Sequence, residues 1–364
     1  MIEVTEASLA AYLKEAFGPT ARLLDCGEIG TLDKQGMKRF GYGKPVLVRY
    51  EVDGEPREAV LSVMRGDKYG HQFYWDRAAI LMFQYEAGGR LERHVTPLGM
   101  GYVDGAGRLR PLRQPKEFFI LNEKLQGHDY HLELERIRKH GLGPGDETLV
   151  REFSRWLARI HATKKDDKDL YLRQVRDLFG SSECIMGLID EAFPHPYEAF
   201  ADERFIALEK RLIDWVWKLR RHTNRLAVVH GDFHPWNVLV REVGEGRWDF
   251  RVLDRSRGEW GEPADDLATM AINYMLFGIY DQPKLTPAFE RLIRAYFEEY
   301  LERSGDREVL EVIAPFFVFR ALVVASPEWY PGHPPAVRRG LFRFMENVLA
   351  HDVFDYERIN EYML

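Results

Sequence analysis

LAVVHGDFHPWNVLV occupies residues 226–240, and RWDFRVLDRSRG follows at 247–258. An apolar run, Leu226–Val229, leads into His230-Gly231-Asp232. A short turn with Pro235 brings the chain to Asn237, and a second apolar run, Val238–Val240, follows it. A further strand-like run then delivers Asp254. Two acids and an amide therefore stand at the ends of short strands. An aspartate can orient a hydroxyl nucleophile or take its proton. An asparagine carbonyl and a second aspartate suit Mg²⁺, a hard cation that prefers oxygen and shares its shell with phosphates and water. One base and two hard oxygen ligands are the parts that phosphoryl transfer from Mg-ATP requires.

His230 and His234 stand four residues apart within the same stretch. Zinc would need at least a third protein ligand, and Pro235 opposes a helix that would present both rings. His230 is read instead as a brace of the loop. Trp236 has two readings, packing or a wall of the substrate cleft, and its position in the sequence does not choose between them.

The composition is that of a folded soluble chain. Its 364 residues are 45% apolar and 30% charged, with 51 basic and 58 acidic side chains, a formal net charge of −7. Collagen-like and disordered classes are excluded. Two cysteines, Cys26 and Cys184, cannot build a disulfide framework or a cysteine-rich zinc site. Met1–Ala16 mixes Glu3, Glu6, Lys14 and Glu15 into its apolar residues, unlike a signal peptide. The most apolar stretch, Phe316–Ala325, is interrupted by Arg320 and falls far short of the ~20 residues of a membrane span. A soluble cytoplasmic protein without a membrane partner is expected, and the acidic balance disfavours nucleic acid. Oligomeric state is not specified.

Residues 1–125 hold 18 basic and 17 acidic side chains, a net of +1, against 33 and 41, a net of −8, for residues 126–364. The first part suits phosphates better and the second suits cations, although a solvated surface accounts for most such charges. Val46–Val52 and Arg57–Met64 flank Asp53-Gly54-Glu55-Pro56 and predict a hairpin. Asp76–Ala87 predicts a helix between Gly70 and Gly88-Gly89, and FFILNEKL at 118–125 reads as a buried strand ended by Gly127. Beyond that, helical periodicity dominates. Leu149, Val150, Phe153, Trp156, Leu157 and Ile160 share one face, as do Phe205, Leu208, Leu212, Trp215, Val216 and Leu219. Phe289, Leu292, Ile293, Tyr296, Phe297 and Tyr300 repeat the pattern.

HGDFHPWN followed by VLDRSRG resembles the catalytic segment of the aminoglycoside phosphotransferase and choline kinase family. GEPADDLA at 261–268 and RWLARIHAT at 155–163 resemble two further family segments. The resemblance implies an α+β, bilobal protein-kinase-like fold. Residues 1–125 would form a small β-rich nucleotide-binding lobe ending in the hinge. Residues 126–364 would form a larger helical lobe with the catalytic loop and acceptor pocket. It implies Asp232 as catalytic base, Asn237 and Asp254 as metal ligands, Mg²⁺ as cofactor and ATP as co-substrate. Asp266 is expected to cap the next helix or brace the catalytic loop, and His161 to be a packed structural residue. In ILNEKLQG the backbone of Glu123 and Leu125 would meet adenine.

The first lobe departs from the family pattern. Where a lysine or arginine should stand on the strand that carries AVLSVM, this sequence has Ser62, which supplies no positive charge. With Asp53-Gly54 as a two-residue turn, opposed positions sum to 107, which sets Ser62 against Pro45 and Lys44 beside it. Lys44 is the candidate replacement, with Arg49 and Arg65 as others. Gly41 and Gly43 are candidates for the phosphate loop, as are Gly27 and Gly30. If no residue replaces the lysine, the chain would be a nucleotide-binding pseudokinase or regulatory protein. The acceptor is expected to be a small-molecule hydroxyl compound, and the acidic second part points to one that carries an amine. Trp260, Tyr274, Phe277, Trp329 and Tyr330 are candidates to line its pocket, and SPEWYPGHPP at 326–335 to shape it.

Overall fold

The computed structural model describes residues 5–28, 46–64, 66, 70–88, 95–113 and 122–364. The chain divides into two compact units, Met1–Asn122 and Glu123–Leu364.

The first unit opens with α1 (Glu6–Phe17), whose N-cap Thr5 accepts the backbone N–H of Ser8. Strands β1 (Arg22–Glu28), β2 (Val46–Val52) and β3 (Glu55–Leu61) form an antiparallel sheet in that order. Asp53 and Gly54 take φ of 55° and 80°, the left-handed pair that a two-residue hairpin turn needs. Val52 pairs with Glu55 and Val46 with Leu61, so opposed positions sum to 107 as the turn required. Alternate β2 residues Val48, Tyr50 and Val52 pack on Leu9 and Leu13 of α1, which forms the small core of this unit. Helix α2 (Tyr74–Gly88) follows, then a hairpin of β4 (Met100–Val103) and β5 (Leu109–Leu112).

Two expectations need correction here. The second hairpin strand begins at Glu55 and ends at Leu61, earlier than the Arg57–Met64 expected. Its ladder runs from the turn to the start of β2 at Val46, so Ser62 lies one residue beyond the strand, exposed. The strand expected over 118–125 is absent from its described part, residues 122–125. Gly127 follows with φ of 139°, and a Cβ there would lie 2.9 Å from the Val240 carbonyl oxygen. The chain instead enters strand pairing at β6 (His128–Asp129).

The second unit is mainly helical. After β6 come α3 (His131–His140), α4 (Asp146–His161), α5 (Lys168–Gly180), α6 (Ile185–Ala192) and α7 (Asp202–Leu219). The two-residue strand β7 (Ala227–Val228) precedes the hairpin of β8 (Val238–Gly244) and β9 (Arg247–Val252), and β6 pairs with β8. Strand β10 (Trp260–Gly261) pairs with β7 and feeds α8 (Pro263–Gly278). The chain ends in α9 (Pro287–Ser304), α10 (Val309–Val312), α11 (Ala314–Ala325) and α12 (Pro335–Val348), with a terminal 3₁₀ segment. Nearly every residue of α8 and α11 is buried, which makes them the central helices of this unit. The apolar faces foreseen for α7 and α9 are the buried ones, and that of α4 is buried apart from the half-buried Trp156 and Ile160. Ser154 of α4 donates to the Tyr296 carbonyl of α9 at 2.7 Å, locking their crossing.

Candidate active site

The loop between β7 and β8 carries His230, Asp232 and Asn237, and its backbone is held from behind. Asp266, in the first turn of α8, accepts the N–H groups of His230 and Gly231 at 2.8 Å each. Its Oδ2 is also 3.1 Å from Nε2 of His161, whose Nδ1 is 3.0 Å from the Tyr300 hydroxyl. Burial pushes the Asp266 carboxyl up, but the hydrogen bond to His161 and the electrostatic attraction of His161 and His230 outweigh it, so it lies below its ordinary range. Of its two expected roles, Asp266 therefore braces the loop. The cap of α8 is Glu262, whose side chain accepts from Ala264, with Pro263 in the first turn. His161 is 2% exposed and packed, as expected. His230 turns its Nδ1 back to accept the N–H of Asp232 at 3.2 Å.

Asp232 is placed by charge. Its Oδ1 lies 2.5 Å from Nη1 of Arg320 on α11, while Oδ2 lies 3.6 Å from His234 Nε2 and 3.8 Å from Arg257 Nε. Partial burial alone would raise its pKa; Arg320 above all, with His234 and Arg257, brings it below the ordinary carboxylate value. Arg320 is itself 4% exposed. It donates from Nε and Nη2 to both oxygens of Asp265, at 2.8 Å each, and from Nη2 to the Gly231 carbonyl at 2.8 Å.

Asn237 donates from Nδ2 to the Asp232 carbonyl at 3.1 Å. That bond orients the amide and turns its Oδ1 away from the Asp232 carbonyl. The Asn237 carbonyl accepts the N–H of Leu253 at 2.9 Å, continuing the β8–β9 ladder in which Val238 faces Val252. The ladder brings Asp254 to the same end of the hairpin as Asn237. Asp254 is exposed and has φ of 52°, a left-handed backbone that costs a non-glycine residue about 1–3 kcal/mol. An amide oxygen and a free carboxylate at one hairpin end are a donor set that fits Mg²⁺. Among the described residues, no group of three His, Cys, Asp or Glu side chains gathers to hold a metal ion.

A cavity of about 570 Å³ opens beside Asp232 and Arg320. Trp236, Trp329 and Tyr330 line it, so both Trp236 and the 326–335 loop shape the cleft. Trp236 also stacks on His131 at 5.0 Å, which satisfies both readings of that residue. Of the other aromatic candidates, Tyr274 and Phe277 are buried core, and Trp260 lies outside the cavity lining, under Lys165. Asn273 of α8 also lines the cavity; its Nδ2 donates to the Thr269 carbonyl at 2.8 Å, which leaves its buried Oδ1 without a partner. A smaller cavity of about 210 Å³ has Leu125, Leu239 and Phe250 in its walls. Glu123 is exposed next to this segment. Lys44, Gly41, Gly43 and Arg65 lie outside the described residues.

The model of one protein family, described as a phosphotransferase enzyme family, matches residues 78–311, well over half of the chain. The chain belongs to that family. The phosphotransferase is an α+β chain of two compact units, the first with strands β1–β5 and the second mainly helical. Asp232, Asn237, Asp254 and Asp266 fall inside the matched span, whereas Ser62 and Arg320 fall outside it. No curated protein matches the chain. Solved structures similar to it include an ethanolamine kinase from Plasmodium vivax, with 12% identity over 94% of this chain and 81% of that one, TM-score 0.33. A choline kinase from Cryptosporidium parvum has 10% identity over 98% of this chain and 91% of that one, TM-score 0.35. A glucosamine kinase in complex with glucosamine, ADP and inorganic phosphate has 18% identity over 64% of this chain and 56% of that one, TM-score 0.33.

Arg320, Arg257 and Asn273 were not foreseen as site residues. A signal existed for Arg320 alone: it is the one charge in an otherwise apolar helix, and such a charge is buried only with partners.

Proposed function

We propose that this phosphotransferase moves the γ-phosphate of ATP to a hydroxyl of a small molecule bound in the cavity beside Asp232. The observation that carries the reading is the placement of Asp232 on a braced loop, in the lining of a cavity, within one hydrogen bond of the asparagine that would help to hold the metal. Asp232 accepts a hydrogen bond from the acceptor hydroxyl, orients it for in-line attack and receives its proton as the new P–O bond forms. Asn237 Oδ1 and the Asp254 carboxylate hold Mg²⁺, which when bound neutralises charge on the phosphates. Leu125, Leu239 and Phe250 offer an apolar bed for adenine, with the Glu123 and Leu125 backbone at its edge. Lys44, with Gly41 and Gly43 near it in sequence, supplies the phosphate contacts that Ser62 cannot. Unchanged nucleotide affinity in Lys44→Ala would sink that assignment.

The cavity bears on the acceptor. Asp232 is the one carboxylate among the described residues that line it, and it is already paired with Arg320. An ammonium group finds no free anion there, whereas aromatic walls suit the faces of a neutral hydroxylated ring. A neutral hydroxyl compound is therefore favoured over the amine-bearing one that the acidic second lobe suggested.

A second reading rests on Ser62, exposed beyond the end of β3 and uncharged: a pseudokinase that binds nucleotide without turning it over. Calorimetry with ATP and GTP, with and without Mg²⁺, on the wild type and Asp254→Ala tests the nucleotide site. Mg-dependent binding lost in the variant supports it, and no binding to either nucleotide overturns the enzyme reading. Release of ADP across a panel of sugars, polyols, choline and ethanolamine then separates an enzyme from a pseudokinase.

A further inference from the structure

Arg320 makes its bonds from inside the protein. Helix α11 is apolar along its length, and the guanidinium it buries meets Asp265 with two N–H groups, Asp232 with one and the Gly231 carbonyl with another. A buried cation of this kind costs several kcal/mol to desolvate, and only a full set of partners offsets that. Asp265 is the fixed side of the arrangement. It sits in the first turn of α8, and its bidentate pairing holds the plane of the guanidinium. The other side of the fork reaches the loop, touching both the carbonyl before Asp232 and the Asp232 carboxylate itself. Two neighbours of Arg320 on the same helix, Val323 and Val324, line the 570 Å³ cavity. Helix α11 therefore carries at once a wall of the cavity and the group that holds Asp232.

We infer that Arg320, held in plane by Asp265, is a positioning residue for Asp232: it engages Oδ1 and leaves Oδ2 to the acceptor hydroxyl. This rests on the phosphotransferase reading above. Arg320 also lines the cavity, but its N–H groups are turned to Asp265, Asp232 and Gly231; its part is to set the rotamer of the carboxylate that meets the acceptor. It lies beyond residues 78–311, the span the family model matches, so the arrangement is read from this chain alone.

The test is release of ADP from Mg-ATP with water as the acceptor, in single-turnover and steady-state form, on the full chain. Arg320→Lys keeps the charge but loses the planar fork. It is expected to lower kcat about 30-fold with the KM for ATP within about 2-fold, because a displaced carboxylate slows the step without weakening nucleotide binding. Asp265→Asn is expected to lose about 10-fold in the same parameter. The decisive readout is the pair with Asp232→Asn: Arg320→Lys added to it should cost less than about 2-fold more, since the group it acts through is already gone. Arg320→Met combined with Asp265→Asn removes both charges together and serves if either single variant fails to fold. Thermal unfolding and Mg-ATP calorimetry on each variant separate loss of fold from loss of position. Wild-type turnover matched by Arg320→Lys, or a loss that multiplies fully with Asp232→Asn, overturns the role of Arg320 alone. A wild type that neither binds nor cleaves Mg-ATP overturns the phosphotransferase reading and this assignment with it.

Discussion

The carboxylate of Asp266 carries the backbone of Gly231: its Oδ1 accepts the glycine N–H at 2.8 Å, while Oδ2 accepts from His230 beside it. Gly231 has φ of 88°, so the chain turns sharply just before Asp232, and the buried acid fixes that turn. Asp266→Asn presents an amide N–H where two backbone donors need an acceptor. It is expected to destabilise the second unit by about 2–4 kcal/mol, measured by urea unfolding. Because the pKa of Asp266 is lowered in the folded state, its contribution is present above the unfolded carboxylate pKa of about 3.9 and is lost as pH falls below it. Unfolding midpoints of the wild type should therefore fall below about pH 4, and the asparagine variant should show a smaller drop.

Asp232→Asn leaves intact the backbone N–H that donates to His230 and the carbonyl that accepts from Asn237. Turnover of Mg-ATP is expected to fall about 1,000-fold, in the range of losing a positioned acid–base group. Mg-ATP affinity should stay within about 2-fold by calorimetry. Asp254→Asn should do the reverse at the binding step, abolishing the Mg-dependent part of the affinity. Equal losses of affinity in both variants would contradict the division of roles.

Trp329 is about half exposed and stands in the cavity wall beside Tyr330. Trp329→Ala should raise the KM for whichever compound of the ADP-release panel is phosphorylated by about 10-fold, since stacking of a ring on tryptophan is worth about 1–1.5 kcal/mol. The KM for ATP should not change. A shift in the ATP parameter with none in the acceptor would place Trp329 outside the acceptor site.

Gly127 needs its missing Cβ twice over. Its φ is 139°, and a Cβ would lie 2.9 Å from the Val240 carbonyl oxygen across the β6–β8 pairing. Gly127→Ala is expected to cost about 1–3 kcal/mol, read as a lower thermal midpoint. Gly305 supplies the control: its φ is 67° but it has open space around it, so Gly305→Asn should cost under about 1 kcal/mol.

Much of the fold was legible because its signals are local. The turn Asp53-Gly54 set the β2–β3 register, and the buried faces of α4, α7 and α9 matched their apolar spacing, because pleat and helix pitch act residue by residue. The misread elements were those whose limits depend on a partner. β3 ends where its ladder with β2 ends, and residues 122–125, the polar Asn-Glu-Lys-Leu end of the expected strand, form none. At α8 the sequence left Asp266 two roles, cap or brace, and only packing chose between them, because Asp266 is drawn inward by His161 and the loop while Glu262 takes the cap.

The order and spacing of Asp232, Asn237 and Asp254, five and then seventeen residues apart, are legible in the chain, because each stands beside a short apolar run that a loop and one hairpin connect. Tertiary structure alone decided what holds and surrounds them. Arg320 reaches Asp232 from 88 residues away and His161 reaches Asp266 from 105. Trp329 and Tyr330 reach the same cavity from a loop late in the chain. No spacing or periodicity encodes such pairs; they arise where α4, α8 and α11 pack in one core and each buried charge is driven to the nearest group that can satisfy it.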